Sequence, residues 1–391
     1  MRNHSVCRVV SLFLFIFVAV SLALAAERSV DLTAPDGTKL KASYFAAGKS
    51  GPGVLLLHQC NRDRKIWGPL PQQLAAAGIN VLTVDMRGFG ESGDKPRASA
   101  SQQEVIAEEK KWPDDIDVAF QYLQSQPGVE KSTIGVGGAS CGVNNSVQTA
   151  IRHPEVRSLV LLSGPTNYFG RKFLRSSTIP IFFAYADDDE FKPTPMEIQW
   201  LYSITSTPDK KLVHYSTGGH GADMFKVHPE LMGLITDWYV TTLIKTPGKA
   251  PATKDVVAAS GQIQMLNLIE QPGGVAEVEA KLKQARAADP KAILFPEAQV
   301  NLIGYEHLLA GDTKGAVEIM KLNVLAYPNS PNAYDSLGDA YLADGQKELA
   351  AESAKKALAL LSSDTADDQQ TRDAIKASAD QKLKQLEKAS Q

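Results

Sequence analysis

"GVGGASCGVNNS", residues 135–146, sets a serine and a cysteine side by side in a glycine-rich turn. Upstream lies "STIGVGG" (132–138), a short apolar run of strand type. Downstream lies "VNNSVQTAIRHP" (143–154), with apolar residues at helical spacing. A strand that turns sharply into a helix strains the residue at the turn and points the helix N-terminus at it, where developing negative charge is favoured. Such a turn closes only if the residues two before and two after its apex are small. With Ser140 at the apex these are Gly138 and Gly142; with Cys141 they are Ala139 and Val143. A β-branched valine fits badly there, so Ser140 is the candidate nucleophile and Cys141 its neighbour.

A serine nucleophile needs a base, and the base needs an orienting carboxylate. "YSTGGHGADMF" (215–225) offers His220 on a glycine-rich loop after the last strand-like run. "FFAYADDDEF" (182–191) offers Asp187, Asp188 and Asp189 after the run before it. The acidic triplet is not followed by a calcium-loop spacing. Of the other histidines, His4 sits in the N-terminal leader, His58 ends a buried strand and His153 closes a helix. His214 lies within a strand and His307 in a later helix. His228, at the start of a helix, is the one competitor of His220.

Around these residues the chain alternates. "GVLLLH" (53–58), "INVLTVD" (79–85), "RSLVLLSG" (157–164), "IPIFFAYA" (179–186) and "KKLVHYS" (210–216) read as strands buried on both faces of a mostly parallel sheet. Amphipathic helical segments separate them, and "SVDLTAP" with "KLKASYF" reads as an antiparallel hairpin turning at Asp36-Gly37. The fold class is α/β, with helices on both faces of the sheet. Residues 91–113 read as the longest irregular connection. The short segment from Pro165 to Thr178 leaves little room for an inserted cap, so an open, shallow site is expected.

Residues 245–261 have the Pro, Gly, Ala and Lys composition of a linker. Beyond it, residues 262–391 read as all-helical, with a period of 34. Gly304 recurs as Gly338, Gly311 as Gly345, Ala316 as Ala350, and His307 matches Tyr341. This register resembles tetratricopeptide repeats over residues 299–364, with a half repeat before it (277–290) and a polar capping helix after it (366–390). So short an array docks on the preceding domain, on a second copy or on a protein partner.

The chain from about 30 to 243 resembles the α/β-hydrolase superfamily, nearest its dienelactone-hydrolase-like branch. The resemblance is carried by "VLLLHQC", "VDMRGFGES" (84–92), "GGASCG", "IPIFFAYADDD" and "GGHG" in order. It implies Ser140 as nucleophile, where the branch usually has cysteine, and His220 as base. Asp189 best matches the acid, with Asp187 and Asp188 as alternatives because Ala186 replaces the family's glycine. It implies an oxyanion hole built from the backbone N–H of Cys141 and that of Cys60 or Gln59, where the family often has His-Gly-x and this chain reads His58-Gln59-Cys60. Two donors that converge on one oxygen are close neighbours, so Cys60 and Cys141 either form a disulfide or remain two thiols lining the pocket.

The expected activity is serine hydrolysis of an ester-type bond, in a carboxylesterase or lactone hydrolase, with no cofactor and no metal. Two alternatives stand beside it: a peptidase acting on short peptides, and a non-catalytic binding protein that works through its repeats. The chain has 391 residues and a net charge of −3, without the basic excess of a nucleic-acid binder. Residues 1–25 read as a signal peptide: Arg2 and Arg8, then an apolar run, then Ala23-Leu24-Ala25. A secreted or periplasmic hydrolase domain over 27–244 is therefore expected, with no membrane span after cleavage. The alternative is an N-terminal membrane anchor. Cys7 would leave with the leader, and Cys60 and Cys141 would remain.

Overall fold

The computed structural model describes residues 27–93, 95–250 and 258–389. The leader and residues 251–257 of the linker lie outside the described residues. Strands β1 (Glu27–Thr33) and β2 (Lys39–Phe45) pair antiparallel, with Val30 opposite Ala42, and the turn between them places Gly37 at φ 88°. Then follow β3 (Gly51–Leu57), α1 (Leu70–Ala76), β4 (Asn80–Val84), α2 (Gln102–Glu109), α3 (Trp112–Ser125) and β5 (Val129–Ala139). After them come α4 (Cys141–Arg152), β6 (Val156–Leu162), α5 (Tyr168–Leu174), β7 (Ile181–Ala186), α6 (Thr194–Ile204), β8 (Lys210–Tyr215), α7 (Met224–Val227) and α8 (Glu230–Tyr239).

The eight strands form one sheet in the order β1-β2-β4-β3-β5-β6-β7-β8. Only β2 runs against its neighbours; the pairs from β4 through β3 to β8 are all parallel. Alternate residues of each strand face opposite layers. Val54, Leu56, Val160, Phe182 and Ala184 pack under α1 and α8, and Leu55, Leu57, Val136, Leu159 and Phe183 pack under α3, α4 and α6. This double burial is why the sequences of β3 and β7 are continuously apolar rather than alternating.

Two regions differ from the sequence expectation. The connection over 91–113 is not wholly irregular. It holds α2, whose N-terminus is fixed by a capping box in which Ser101 and Glu104 exchange side-chain-to-backbone hydrogen bonds. Nor is the site open on the side of residues 165–178. That segment forms α5, and the helical region packs over it.

The helical region comprises α9 (Gly261–Ile269), α10 (Gly274–Ala288), α11 (Glu297–Leu309), α12 (Thr313–Ala326), α13 (Pro331–Ala343), α14 (Lys347–Leu361) and α15 (Gln369–Ala389). Helices α11 and α12 are followed at an offset of 34 residues by α13 and α14. Helix α15 closes the array through Lys382. Its buried ammonium donates to Asp335 and Ser378 at 2.8 and 2.7 Å and lies 2.8 Å from Asp339.

The array is seated on the sheet domain. Ile198, Leu201 and Ile204 of α6 share one continuous core with Ile263 and Leu266 of α9, Leu282 of α10 and Ile303 of α11. Trp200 Nε1 donates to Asn267 Oδ1 at 2.7 Å. Arg171 of α5, 3% exposed at its side chain, donates to Glu270 at 2.6 Å and to Glu306, and its Nη1 donates to the Thr166 carbonyl at 2.8 Å.

Candidate active site

Ser140 stands between β5 and α4 with φ 54° and ψ −121°, a backbone conformation that L-residues rarely adopt. The surroundings hold it there. Its N–H donates to the Leu162 carbonyl at 2.9 Å. A Cβ on Gly138 would run into the carbonyl of Gly142, and one on Gly142 into the carbonyl of Leu57. The turn therefore closes around two glycines that admit no side chain. A Cβ on Gly164, after β6, would strike the backbone of Ser140 from the other side.

The three aspartates after β7 go to three different partners. Asp187 meets His214 Nε2 at 2.8 Å, and Asp188 accepts from the Gly219 N–H at 2.8 Å. Asp189 is fully buried and meets His220 Nδ1 at 2.8 and 3.0 Å with its two oxygens; one of these also accepts from the Phe191 N–H at 2.8 Å. An ionised Asp189 only accepts, so the proton of this pair sits on Nδ1 and leaves Nε2 free as a base. Phe191 covers the imidazole, ring centroids 4.5 Å apart. His228 is engaged elsewhere. It stacks on Tyr215 at 3.7 Å and meets the Thr217 carbonyl at 2.8 Å.

The β3 loop reaches across to both. Cys60 and Cys141 form a disulfide with Cα atoms 5.8 Å apart. Cys141 is the first residue of α4, so its N–H has no intrahelical acceptor. The Cys60 N–H has none among the described residues. The covalent bridge thus holds two uncommitted backbone donors beside Ser140.

Two residues whose side-chain roles sequence reasoning passed over position this loop. Gln59, fully buried, accepts from the Ala222 N–H at 3.0 Å and donates to Asp223 Oδ2 at 3.1 Å. It bridges the β3 loop to the turn that carries His220. A polar side chain where the resemblance expects glycine was the available signal, since a buried amide must find partners. His58, also fully buried, accepts from the Met86 N–H at 3.0 Å through Nε2 and faces the Gln59 carbonyl at 2.8 Å through Nδ1. Both bonds are made only by the neutral Nδ1–H ring, and burial holds its pKa below the ordinary 6.5. The "DMRGFGES" segment is likewise a scaffold. Asp85 accepts from the N–H groups of Arg64 and Glu91 at 2.7 and 2.9 Å, and Ser92 Oγ donates to the Asp85 carbonyl at 2.7 Å.

Residues 52–173 match the family model described as serine aminopeptidase, S33. With the strand order and the elbow at Ser140, this decides the architecture. The sheet domain has the α/β-hydrolase fold. The chain is similar to the thiohydrolase aneE of Aspergillus aculeatus, 30% identical over 132 residues, which cover 34% of this chain and 39% of that protein. It is also similar to an uncharacterized protein of Mycobacterium tuberculosis, 32% identical over 145 residues, which cover 37% and 47%. The aligned stretch thus spans less than half the length of these curated relatives. A solved esterase of Pyrococcus furiosus aligns with 56% of this chain and 94% of its own at 20% identity, TM-score 0.45.

Two cavities flank the disulfide of the α/β-hydrolase domain. One, of about 780 Å³, is lined by Cys60, Arg62, Phe89 and Lys226. The other, of about 510 Å³, reaches Cys141 and is closed on its far side by Leu302 and Glu306 of α11.

Proposed function

We propose that the protein is a serine hydrolase that cleaves ester-type bonds through an acyl-enzyme. Ser140 attacks the carbonyl, and His220 takes its proton and returns it to the leaving group. Asp189 holds the imidazole and stabilises its cation, and the N–H groups of Cys60 and Cys141 receive the oxyanion. The observation that carries this reading is the buried Asp189–His220 pair, on a loop tied by Gln59 to the strand β3 end that is itself bonded to the residue after Ser140. Carboxylic esters and lactones come first as substrates. Thioesters belong to the same class, and the relative named a thiohydrolase favours keeping them in it.

A second reading, a peptidase for short peptides, is favoured by the description of the matching family model. The triad serves both. A panel of ester, lactone, thioester and dipeptide substrates separates them by kcat/KM.

The test of the triad itself is covalent. A fluorophosphonate probe labels the wild-type protein, and Ser140→Ala abolishes labelling. Equal labelling of the variant, or none of the wild type, overturns the reading. Export from the cytoplasm and cleavage of residues 1–25 belong to the same proposal. A disulfide beside the nucleophile suits an oxidising compartment, and N-terminal sequencing of the native protein checks it. We also propose that the helices at 34-residue spacing are tetratricopeptide-like and serve the hydrolase by docking on it.

A further inference from the structure

The cleft of about 510 Å³ beside Cys141 has one wall from each half of the molecule. On the hydrolase side, α4 presents Asn144 and, one turn on, Gln148. Asn144 Oδ1 is committed, accepting from Thr166 Oγ1 at 2.9 Å and from the Asn167 N–H at 3.2 Å. Gln148 Nε2 is also committed, donating at 2.9 Å to Asn167 Oδ1, which the Gly170 N–H fixes as the acceptor end of that amide. Asn144 Nδ2 and Gln148 Oε1 are left without a protein partner among the described residues. They form a donor and an acceptor side by side on one helical face.

The opposite wall is Leu302 of α11, 44% exposed, with Glu306 below it. Arg171 fixes the separation of the walls, since it binds both the Thr166 carbonyl and Glu306. The charged residues around the cleft are already paired: Glu306 with Arg171, Glu109 with Arg97, and Arg152 with Asp117. A charged substrate group placed there would lose water without gaining a free counter-ion.

The side of the scissile bond follows from the proton. The leaving group must face His220, which protonates it. No residue lining this cleft comes from the loop around His220, whereas the larger cavity includes Lys226 from the helix just after it. The cleft reaches Cys141, the residue after Ser140, without lining from that loop, which suits it to the acyl group rather than to the leaving group.

We propose that the cleft between α4 and α11 is the acyl subsite and takes an uncharged acyl group carrying an amide, held by Asn144 and Gln148 against Leu302 of the helical domain. This rests on the serine-hydrolase reading above. The test compares two esters of equal chain length on the full-length protein, p-nitrophenyl hexanoate and p-nitrophenyl N-acetyl-β-alaninate. The wild-type kcat/KM favours the amide ester by about tenfold, the worth of one to two neutral hydrogen bonds. Gln148→Met, which removes the free acceptor together with the hydrogen bond from Nε2 to Asn167, and Leu302→Trp, which fills the cleft, bring the ratio towards one. Leu309→Trp, on the same helix but 88% exposed, leaves the ratio as in the wild type. A wild-type ratio near one, or a ratio that neither variant moves, overturns the subsite while leaving the hydrolase reading intact. Turnover of neither ester together with no fluorophosphonate labelling overturns both.

Discussion

Ser140 and Cys141 are neighbours set apart by what surrounds them rather than by their own chemistry: one stands at the apex of the turn, and the other opens α4 and bonds to Cys60. The glycines at 138 and 142 serve the serine, and both have carbonyls where a side chain would begin. That Ser140 rather than Cys141 takes the apex was legible, because a tight turn excludes bulk by position. The choice among Asp187, Asp188 and Asp189 was not. Three consecutive carboxylates in a turn are alike in pattern, and only the path of the backbone after β7 sends one of them inward. Its burial gives a direct expectation. Asp189→Asn leaves the fold in place but presents an N–H to His220 Nδ1, so the ring loses the tautomer that exposes Nε2 as a base. Ester turnover falls by about 10⁴-fold in kcat, the scale of that substitution in a serine protease triad. A loss under tenfold, read by the same assay at saturating substrate, would assign the acid elsewhere. Gln59 and His58 were out of reach of the pattern for another reason: each is defined by partners distant in sequence, Ala222 and Asp223 for one and Met86 for the other.

The strands were the most readable elements. β3, β4 and β7 are covered on both faces, and such strands are apolar nearly throughout. Helix α2 was missed because it is mostly exposed and only weakly two-faced; its one clear signal was the capping pair Ser101 and Glu104. The elbow, the β3 loop and the histidine turn behave as one unit because the Cys60–Cys141 bridge and Gln59 join them. The bridge closes a loop with a sequence separation of 81, which in the chain-entropy model stabilises the fold by about 4–5 kcal/mol. Reduction, or Cys60→Ser with Cys141→Ser, therefore lowers the urea midpoint. On the proposed mechanism it also lowers kcat, since the backbone N–H groups of Cys60 and Cys141 are no longer fixed to each other. Unfolding curves and ester turnover measured side by side with and without reductant check both, and unchanged curves would mean that the bridge is idle.

At the scale of the molecule, the helical period was legible but its partner was not. A repeat register specifies how helices pack on one another and is silent on what the array covers. In the structure it covers α5 and α6, and the junction contains Glu197. Burial raises its carboxyl from the ordinary 4.5 to about 7, against the opposing pull of the Arg171 cation. The folded chain thus keeps this proton to higher pH than the unfolded one. The associated stability is whole below about pH 4.5 and is lost as pH rises through about 7, by up to about 3 kcal/mol. Glu197→Gln removes that dependence. The stability of the wild type relative to the variant declines between pH 5 and pH 8 in urea titrations, and parallel profiles would contradict it.

Arg171 gives this junction a further meaning. Its guanidinium is almost wholly out of water, and both carboxylates that neutralise it, Glu270 and Glu306, lie beyond the linker. A hydrolase severed near residue 250 would keep the cation and lose its counter-ions, and would bare Ile198, Leu201 and Ile204 at the same stroke. The border written in the composition of residues 245–261 is a border of chain segments only. The two halves are expected to melt in one cooperative transition.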